Sequence, residues 1–503
     1  MLTMTSALQR AALLYGHQPA IIDHEGRWSW TEHVAWISQL AGMLRQRGVN
    51  TGQRFGLLSR NTFRQIELIH CGYWSGIVPV PINVRLAPAE ILHILTDADL
   101  DILLVEPMFL SLFETPELKD WRDKVLVIGD ESVDGYDATG ALARRAPAID
   151  AIETGEEDDA ILLYTGGTTG RSKGVRLCHR NIVANGLQVG VTLSIKTDDV
   201  YYHVAPMFHS ADLLGTAVTL MGGGHVSLAA FTPHDYLKTI ETLKPTTNMV
   251  APTMLVMMLQ EVDPADYDTS SMRTILYGSA PMAVEWVRKT LEALPDIDLV
   301  QGYGLTETSP ILTILDAETH RRAVQTEEYE VLKSAGKILP GLDVRIDHEN
   351  GGEVLVRGPN VTPGYHNNPQ VNAEAFVDGW FRTGDVGQLD DEGHLFLLDR
   401  KKDMIISGGE NIYCSEVEAA IYAHPDVVEA AVFGLPDNTY GEVVSAALVL
   451  TEGSALDTDG LIAHCRQSIG GYKVPRRVFF LEALPKSAVN KILKSDLRAM
   501  FAG

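Results

Sequence analysis

The chain has 503 residues, 45% of them hydrophobic and 21% charged, with 41 basic against 66 acidic side chains and a net charge of −25. So acidic a protein repels nucleic acid and anionic membranes at long range, and no nucleic-acid partner is expected. No run of about 18 apolar residues is present, so no integral membrane segment is expected either.

The N-terminal MLTMTSALQRAALLYG sets Gln9 and Arg10 inside an apolar stretch and has no basic leader, which predicts an amphipathic helix rather than a signal peptide. From about 65 to 310, apolar runs alternate with segments of helical periodicity. DILLVE (101–106), KVLVIG (124–129), AILLYT (160–165), YYHVAP (201–206), HVSLAAF (225–231), TNMVAP (247–252) and TILYGS (274–279) read as buried strands. Such alternation predicts layered α/β architecture with mainly parallel sheets and active residues where strands end. From about 335 to 399, short strands cut by Gly, Asp and Asn predict a small β-barrel-like subdomain. The charged DRKKD (399–403) then suggests a hinge, placed at 400–402, between an N-terminal domain (1–399) and a compact α+β C-terminal domain (403–503). Cys71, Cys178, Cys414 and Cys465 are far apart, without metal-ligand spacing, as suits a reducing cytoplasm.

The stretch YTGGTTGRSKG (164–174) follows an apolar strand. Glycines let backbone N–H groups converge on an anion, while hydroxyls and a lysine add donors. This is chemistry for phosphate, although the spacing is not GxxxxGK[ST], and Gly/Thr loops are often no more than loops. Four further segments follow in order: QGYGLTETSP (301–310), GWFRTGDVG (379–387), DRKKDMIISGGENI (399–412) and LPKSAVNKIL (484–493). With these motifs the chain resembles, over nearly its whole length, the adenylate-forming superfamily of acyl-CoA synthetases, carrier-loading adenylation domains and beetle-type luciferases.

The resemblance implies ATP, Mg²⁺ and CoA as cofactors and a C-terminal domain that rotates between half-reactions. It implies that Thr165, Gly167, Thr168, Thr169, Gly170 and Lys173 hold the ATP phosphates. Gly166 stands where the family usually has Ser and Ser172 where it usually has Pro. By the same resemblance Glu307, with Thr306 beside it and Thr165, holds Mg²⁺. Tyr303 and Gly304 lie against adenine opposite Gly278, Ser279 and Ala280. Asp385 accepts from the ribose hydroxyls and Arg400 reaches the ribose or α-phosphate. Lys402 is the hinge position, and Gly408 and Gly409 line the pantetheine tunnel. Lys491 is the catalytic lysine of the first half-reaction, preceded by Asn490 where Gly is usual. His209 matches an aromatic gate between the acyl pocket and that tunnel. A basic run from Lys473 to Arg498 offers Lys473 and Arg476 to the CoA phosphates.

Pocket positions implied by the match are His209, Ser210, Val250, Gly278, Gly304, Ser309, Pro310 and Ile311. They include no Lys, Arg, Asp or Glu, which points to an apolar monocarboxylic acid, fatty or aryl. The expected activity is therefore an AMP-forming acid–thiol ligase, and the resemblance admits a homodimer. The alternatives are a stand-alone adenylation enzyme that loads an acyl carrier protein and a non-catalytic nucleotide-binding module. Intact Glu307, Asp385 and Lys491 weigh against the second.

Overall fold

The computed structural model describes residues 2–165, 172–280, 282–401, 403–407, 410–437, 440–486 and 492–502, except for the side chains of Asn350 and Asn411. The chain divides into two compact units. The first comprises Met1–Asp343, Val356–Phe381 and Asp391–Leu395; the second comprises Val344–Leu355, Arg382–Asp390 and Phe396–Gly503.

A nine-stranded sheet dominates the first unit. Its order from one edge is Lys337–Ile338, Ile311–Leu315, Asp298–Gly304, Thr274–Gly278, Thr247–Val250, Val200–His203, Gly224–Ser227, Pro19–Asp23 and Gly26–Ser29. Pairing is parallel from Asp298–Gly304 through Pro19–Asp23 and antiparallel at both edges. Every residue of Thr247–Val250 and Thr274–Gly278 is buried, because helices cover both faces of a parallel sheet. That double burial is why Met249–Val250 and Ile275–Tyr277 show no alternation with polar residues. A second, four-stranded parallel sheet runs in the order Val78–Pro81, Arg54–Leu58, Ile102–Val105 and Val125–Val127. The amphipathic N-terminus forms the helix Met4–Tyr15, capped by the Thr3 side chain on Ser6 N–H.

One expected parallel strand pairs differently. Asp159–Thr165 runs antiparallel to Lys173–Cys178, with Gly364–Tyr365 on the far side of the latter. The reason is length, since a parallel crossover needs a dozen or more residues and only seven separate these strands. These two strands therefore pair as neighbouring arms, with Thr165 opposite Lys173.

In the second unit, the strands Glu410–Ile412, Ile405–Ser407, Gly441–Leu450 and Val427–Asp437 form a sheet in that order, with Arg477–Phe480 parallel to Gly441–Leu450. Helices Cys414–Tyr422 and Thr458–Cys465 contribute Val417, Ile421, Leu461 and Cys465 to its core. The β-rich texture expected before residue 399 is present as short strands at Asp343–Asp347, Glu353–Arg357, Phe376–Val377, Trp380–Leu389 and Leu395–Arg400. Among the described residues no helix is long and apolar enough to cross a membrane.

Candidate active site

In the first unit, residues singled out by sequence gather where strands end. Thr165 and Lys173 are directly opposite each other at the open end of the hairpin, so their side chains share one face. Between them, Gly167, Thr168, Thr169 and Gly170 lie outside the described residues. Lys173 Nζ sits 5.9 Å from the centre of the Tyr365 ring, within cation–π range. The Tyr365 hydroxyl donates a 2.7 Å hydrogen bond to Glu307 Oε1. A cation, a phenol and a carboxylate therefore form a row at the Thr165–Lys173 end of the paired strands.

Glu307 stands in the one-turn helix Thr306–Thr308, just past the strand Asp298–Gly304. Three asparagines hold this loop and the neighbouring 359–361 segment. Asn360 Nδ2 donates to Thr308 O at 2.7 Å, Asn185 exchanges hydrogen bonds with the Ile311 backbone, and Asn181 Nδ2 donates to Pro359 O and Val361 O. Thr362 N–H donates to Glu307 O at 2.8 Å. Thr306 Oγ1 lies 3.0 Å from Ser210 Oγ, which ties the loop to the turn that follows His209. His209 caps that turn, its Nδ1 accepting from Ala211 N–H.

Gly278 and Gly302 are partners on adjacent strands, and a Cβ on Gly278 would stand 2.4 Å from Gly302 O. At Gly304 a Cβ would stand 1.8 Å from Pro310 O. Both positions exclude side chains. Ser279 adopts φ +67° and is exposed beside exposed Ala280, while Tyr303 is half-buried in the strand that ends at Gly304.

In the second unit, Arg400 Nε lies 2.7 Å from Asp385 Oδ1, which joins the two residues assigned to the ribose. The turn carrying Asp385 is braced from beneath. Buried Glu353 receives Arg382 Nε at 3.0 Å and Nη2 at 2.6 Å, Lys401 Nζ at 3.0 Å and Gly384 N–H at 3.2 Å. Burial raises the Glu353 pKa, but Arg382 and Lys401 outweigh it and leave the carboxyl below its ordinary value.

Four of the seven cations in the C-terminal basic run are engaged by acids of the same unit. Lys473 pairs with Glu416 at 2.5 Å, Lys486 with Glu429, Lys494 with Glu418 at 2.8 Å and Arg498 with Asp403 at 2.8 Å. The hydrogen bond from Glu416 raises the Lys473 pKa. Arg476 is exposed, its guanidinium 4.1 Å from the centre of the Tyr440 ring. Lys402, Gly408, Gly409 and Lys491 lie outside the described residues.

Tyr365, Glu353 and the three asparagines were not singled out from sequence. The only signal for Tyr365 was an aromatic after glycine in GYHNN, which reads equally well as turn chemistry. No group of three or more His, Cys, Asp or Glu able to hold a metal ion occurs among the described residues. One carboxylate with hydroxyls nearby is a donor set suited to Mg²⁺ carried in by phosphates, since that ion keeps water and phosphate ligands and takes few from protein.

Residues 8–366 match the family model described as AMP-binding enzyme, and residues 416–491 match the AMP-binding enzyme C-terminal domain. The chain belongs to the AMP-binding enzyme family. This AMP-binding enzyme is 36% identical over 510 residues to a feruloyl-CoA synthase of Amycolatopsis sp, covering 98% of each chain. Among solved structures it is similar to the o-succinylbenzoate CoA synthetase (MenE) of Bacillus subtilis in complex with its acyl-adenylate intermediate. That match has a TM-score of 0.85 and 30% identity, over 98% of this chain and 97% of the other. It is also similar to the amide bond synthetase McbA of Marinactinospora thermotolerans, at TM-score 0.86 and 29% identity, over 99% and 100% of the two chains.

Proposed function

We propose that this AMP-binding enzyme is an ATP-dependent acyl-CoA ligase acting on an apolar monocarboxylic acid. A carboxylate is a poor acyl donor because attack must expel an oxide-like oxygen. In the first step a carboxylate oxygen attacks the α-phosphorus of ATP, the bond to pyrophosphate breaks, and an acyl-AMP mixed anhydride forms. In the second, the deprotonated CoA sulfur attacks the acyl carbon and AMP leaves. Both steps build negative charge that fixed cations and directed N–H groups must meet.

The observation that carries this reading is the Lys173–Tyr365–Glu307 row at the Thr165–Lys173 end of the paired strands. Lys173 supplies a point charge to the phosphates, and Gly167, Thr168, Thr169 and Gly170 are the residues that would surround them. Glu307, oriented by the Tyr365 hydroxyl, and Thr165 are the residues that would hold Mg²⁺, which neutralises charge on the phosphates. Tyr303, Gly304, Gly278, Ser279 and Ala280 form the adenine site, where Gly278 and Gly304 let neighbouring backbone approach closely. Asp385, held by Arg400, accepts from the ribose hydroxyls. Lys491 bridges the substrate carboxylate and α-phosphate in the first step. The domain carrying it, pivoting at Lys402, then brings Gly408 and Gly409 to the pantetheine in the second. Of the two cations assigned to CoA, Arg476 is the better placed, because Lys473 is neutralised by Glu416.

The acyl pocket at His209, Ser210, Val250, Ser309, Pro310 and Ile311 offers no charge for a second carboxylate or an ammonium. Within the aryl-or-fatty class, the feruloyl-CoA synthase at 36% identity favours an aryl acid, while a long-chain-fatty-acid–CoA ligase at 32% identity keeps the fatty class in play. A cytoplasmic location goes with ATP and CoA as substrates, and the expected homodimer is tested by sedimentation equilibrium. The test of function is AMP formation with ATP, Mg²⁺ and a panel of hydroxycinnamates, benzoates and fatty acids, each with CoA, with an amine, or with neither. CoA-dependent turnover supports the ligase. Turnover with an amine but not CoA would replace it with amide synthesis, and acid-dependent pyrophosphate exchange with neither acceptor would move the carrier-loading reading to the front.

A further inference from the structure

Around His209 the sequence reads YYHVAPMFHSADLLG, with a second histidine six residues before it and an aspartate three residues after. The fold brings these two together. His203 ends the strand Val200–His203, and Asp212 lies in the one-turn helix Ser210–Leu214 that His209 caps. His203 Nδ1 is 2.8 and 2.9 Å from the two Asp212 oxygens, and both residues are buried. This is the geometry of a His203 Nδ1–H donating to the Asp212 carboxyl oxygens.

The contact continues inward. His203 Nε2 is 3.0 Å from His225 Nδ1, and His225 Nε2 is 3.0 Å from Thr219 Oγ1. His70 stands 5.7 Å from the His225 ring centre and hydrogen-bonds His33 at 2.9 Å. Burial holds His70 and His225 well below the ordinary imidazole pKa, so these inner rings are neutral. Asp212 thus places a carboxylate at the end of a chain of buried imidazoles, with His203 as its one side-chain hydrogen-bond partner among the described residues.

The consequence falls on His209. Its N–H donates to Pro206 O, its O accepts from Asp212 N–H, and its Nδ1 accepts from Ala211 N–H. In the neutral ring this fixes the proton on Nε2. The turn is therefore clamped twice, by Ser210 to Thr306 and by Asp212 to His203. Asn61 fixes the strand end, donating to His203 O and Ala205 O and accepting from Met207 N–H.

We propose that Asp212, through its hydrogen bond to His203, is a positioning residue that sets the orientation of the His209 ring at the boundary of the acyl pocket. This rests on the reading of His209 given above. A short turn with no anchor at its third residue would let the capping imidazole rotate. The Asp212–His203 bond supplies that anchor from the central sheet.

The test compares Asp212→Asn and Asp212→Ala with the unaltered full chain. Asn keeps an oxygen to accept from His203, while Ala leaves the buried imidazole N–H without a partner. For Asp212→Ala the KM of the acid is expected to rise about 10- to 100-fold, the scale of a lost charge-assisted hydrogen bond, with the KM of ATP unchanged within about twofold. Asp212→Asn should recover most of the loss. Histidine-selective labelling with NMR reads the same claim without turnover. The far-downfield His203 N–H should move in Asp212→Asn, and the His209 ring nitrogens should shift in Asp212→Ala.

An unchanged acid KM in Asp212→Ala overturns the proposal, as does an equal loss for acid and ATP together with a lower melting temperature, which would mark plain structural support. An unaltered chain that forms AMP with no acid defeats the ligase reading instead. The NMR shifts then decide the Asp212 proposal by themselves, and static His209 resonances in Asp212→Ala would overturn it.

Discussion

Glu353 is 3% exposed, yet it bears a carboxylate that touches no proposed substrate. It receives two Arg382 nitrogens, one Lys401 nitrogen and the Gly384 backbone N–H. Thr383 Oγ1 in turn donates to Val354 O at 2.7 Å and accepts from Asp385 N–H at 3.1 Å. The Thr383–Asp385 turn is thus hung on Glu353 and its neighbour. Breaking a buried ion pair costs about 3–5 kcal/mol when the remaining charge is fully desolvated. Here the side chains of Arg382 and Lys401 keep 30% and 37% of their exposure and can be rehydrated. We therefore expect about 2–3 kcal/mol for Glu353→Ala and about half of that for Glu353→Gln, which can still accept from Gly384 N–H. A looser turn should misplace Asp385, raising the KM of ATP about tenfold while the KM of the acid stays fixed. The pH dependence has a definite sign. The folded pKa of Glu353 is lowered, so its stabilisation is fully present above the ordinary carboxylate value of 4.5 and fades as pH falls toward the folded value. The gap in melting temperature between the unaltered enzyme and Glu353→Gln should be wide at pH 7 and close on acidification through that range. An unchanged KM for ATP beside a lowered melting temperature would refute the bracing of Asp385. A gap that stayed constant with pH would refute the electrostatic account.

Lys491→Ala should abolish acid-dependent pyrophosphate exchange yet leave thioester formation from supplied acyl-AMP substantially intact; equal loss of both would contradict exchange of the C-terminal domain between half-reactions. Tyr365→Phe removes the donor to Glu307 Oε1 and should lower kcat/KM for ATP–Mg²⁺ by about tenfold, the effect of one hydrogen bond to a charged group, as read by steady-state kinetics across Mg²⁺ concentrations. Glu67 is buried, and burial raises its pKa from 4.5 to about 7. Its ionisation therefore costs stability increasingly between those values, and Glu67→Gln should be the more stable protein at pH 8 by up to ~3 kcal/mol, with no advantage near pH 4, in thermal melts at both values.

How much of this was legible in the sequence depends on the distance over which each interaction acts. The central strands announced themselves, because residues such as Met249–Val250 and Ile275–Tyr277 are covered on both sides and leave no polar alternation. Residues at strand ends could be listed from motifs alone, and the structure brings Asp385 to Arg400 and Thr165 to Lys173. What the motifs did not reveal is what holds them. Tyr365 reaches Glu307 across 58 residues, and Asn185 reaches Ile311 across 126. Such partners leave no local pattern. The partners of the basic C-terminal run are hidden for the same reason: its excess charge looks free along the chain, but Glu416, Glu418, Glu429 and Asp403 meet it in the fold. A single hairpin also escaped, since an apolar strand reads the same whether its neighbour runs parallel or antiparallel.

The central claim is that the acid is activated by joining its own oxygen to AMP. It is tested most directly by supplying the acid with both carboxylate oxygens isotopically heavy, together with ATP, Mg²⁺ and CoA, and weighing the products. Attack on the α-phosphorus followed by thiolysis leaves one heavy oxygen in AMP, one in the thioester and none in pyrophosphate. Heavy oxygen in inorganic phosphate, or AMP without label beside a labelled thioester, would contradict the acyl-adenylate route.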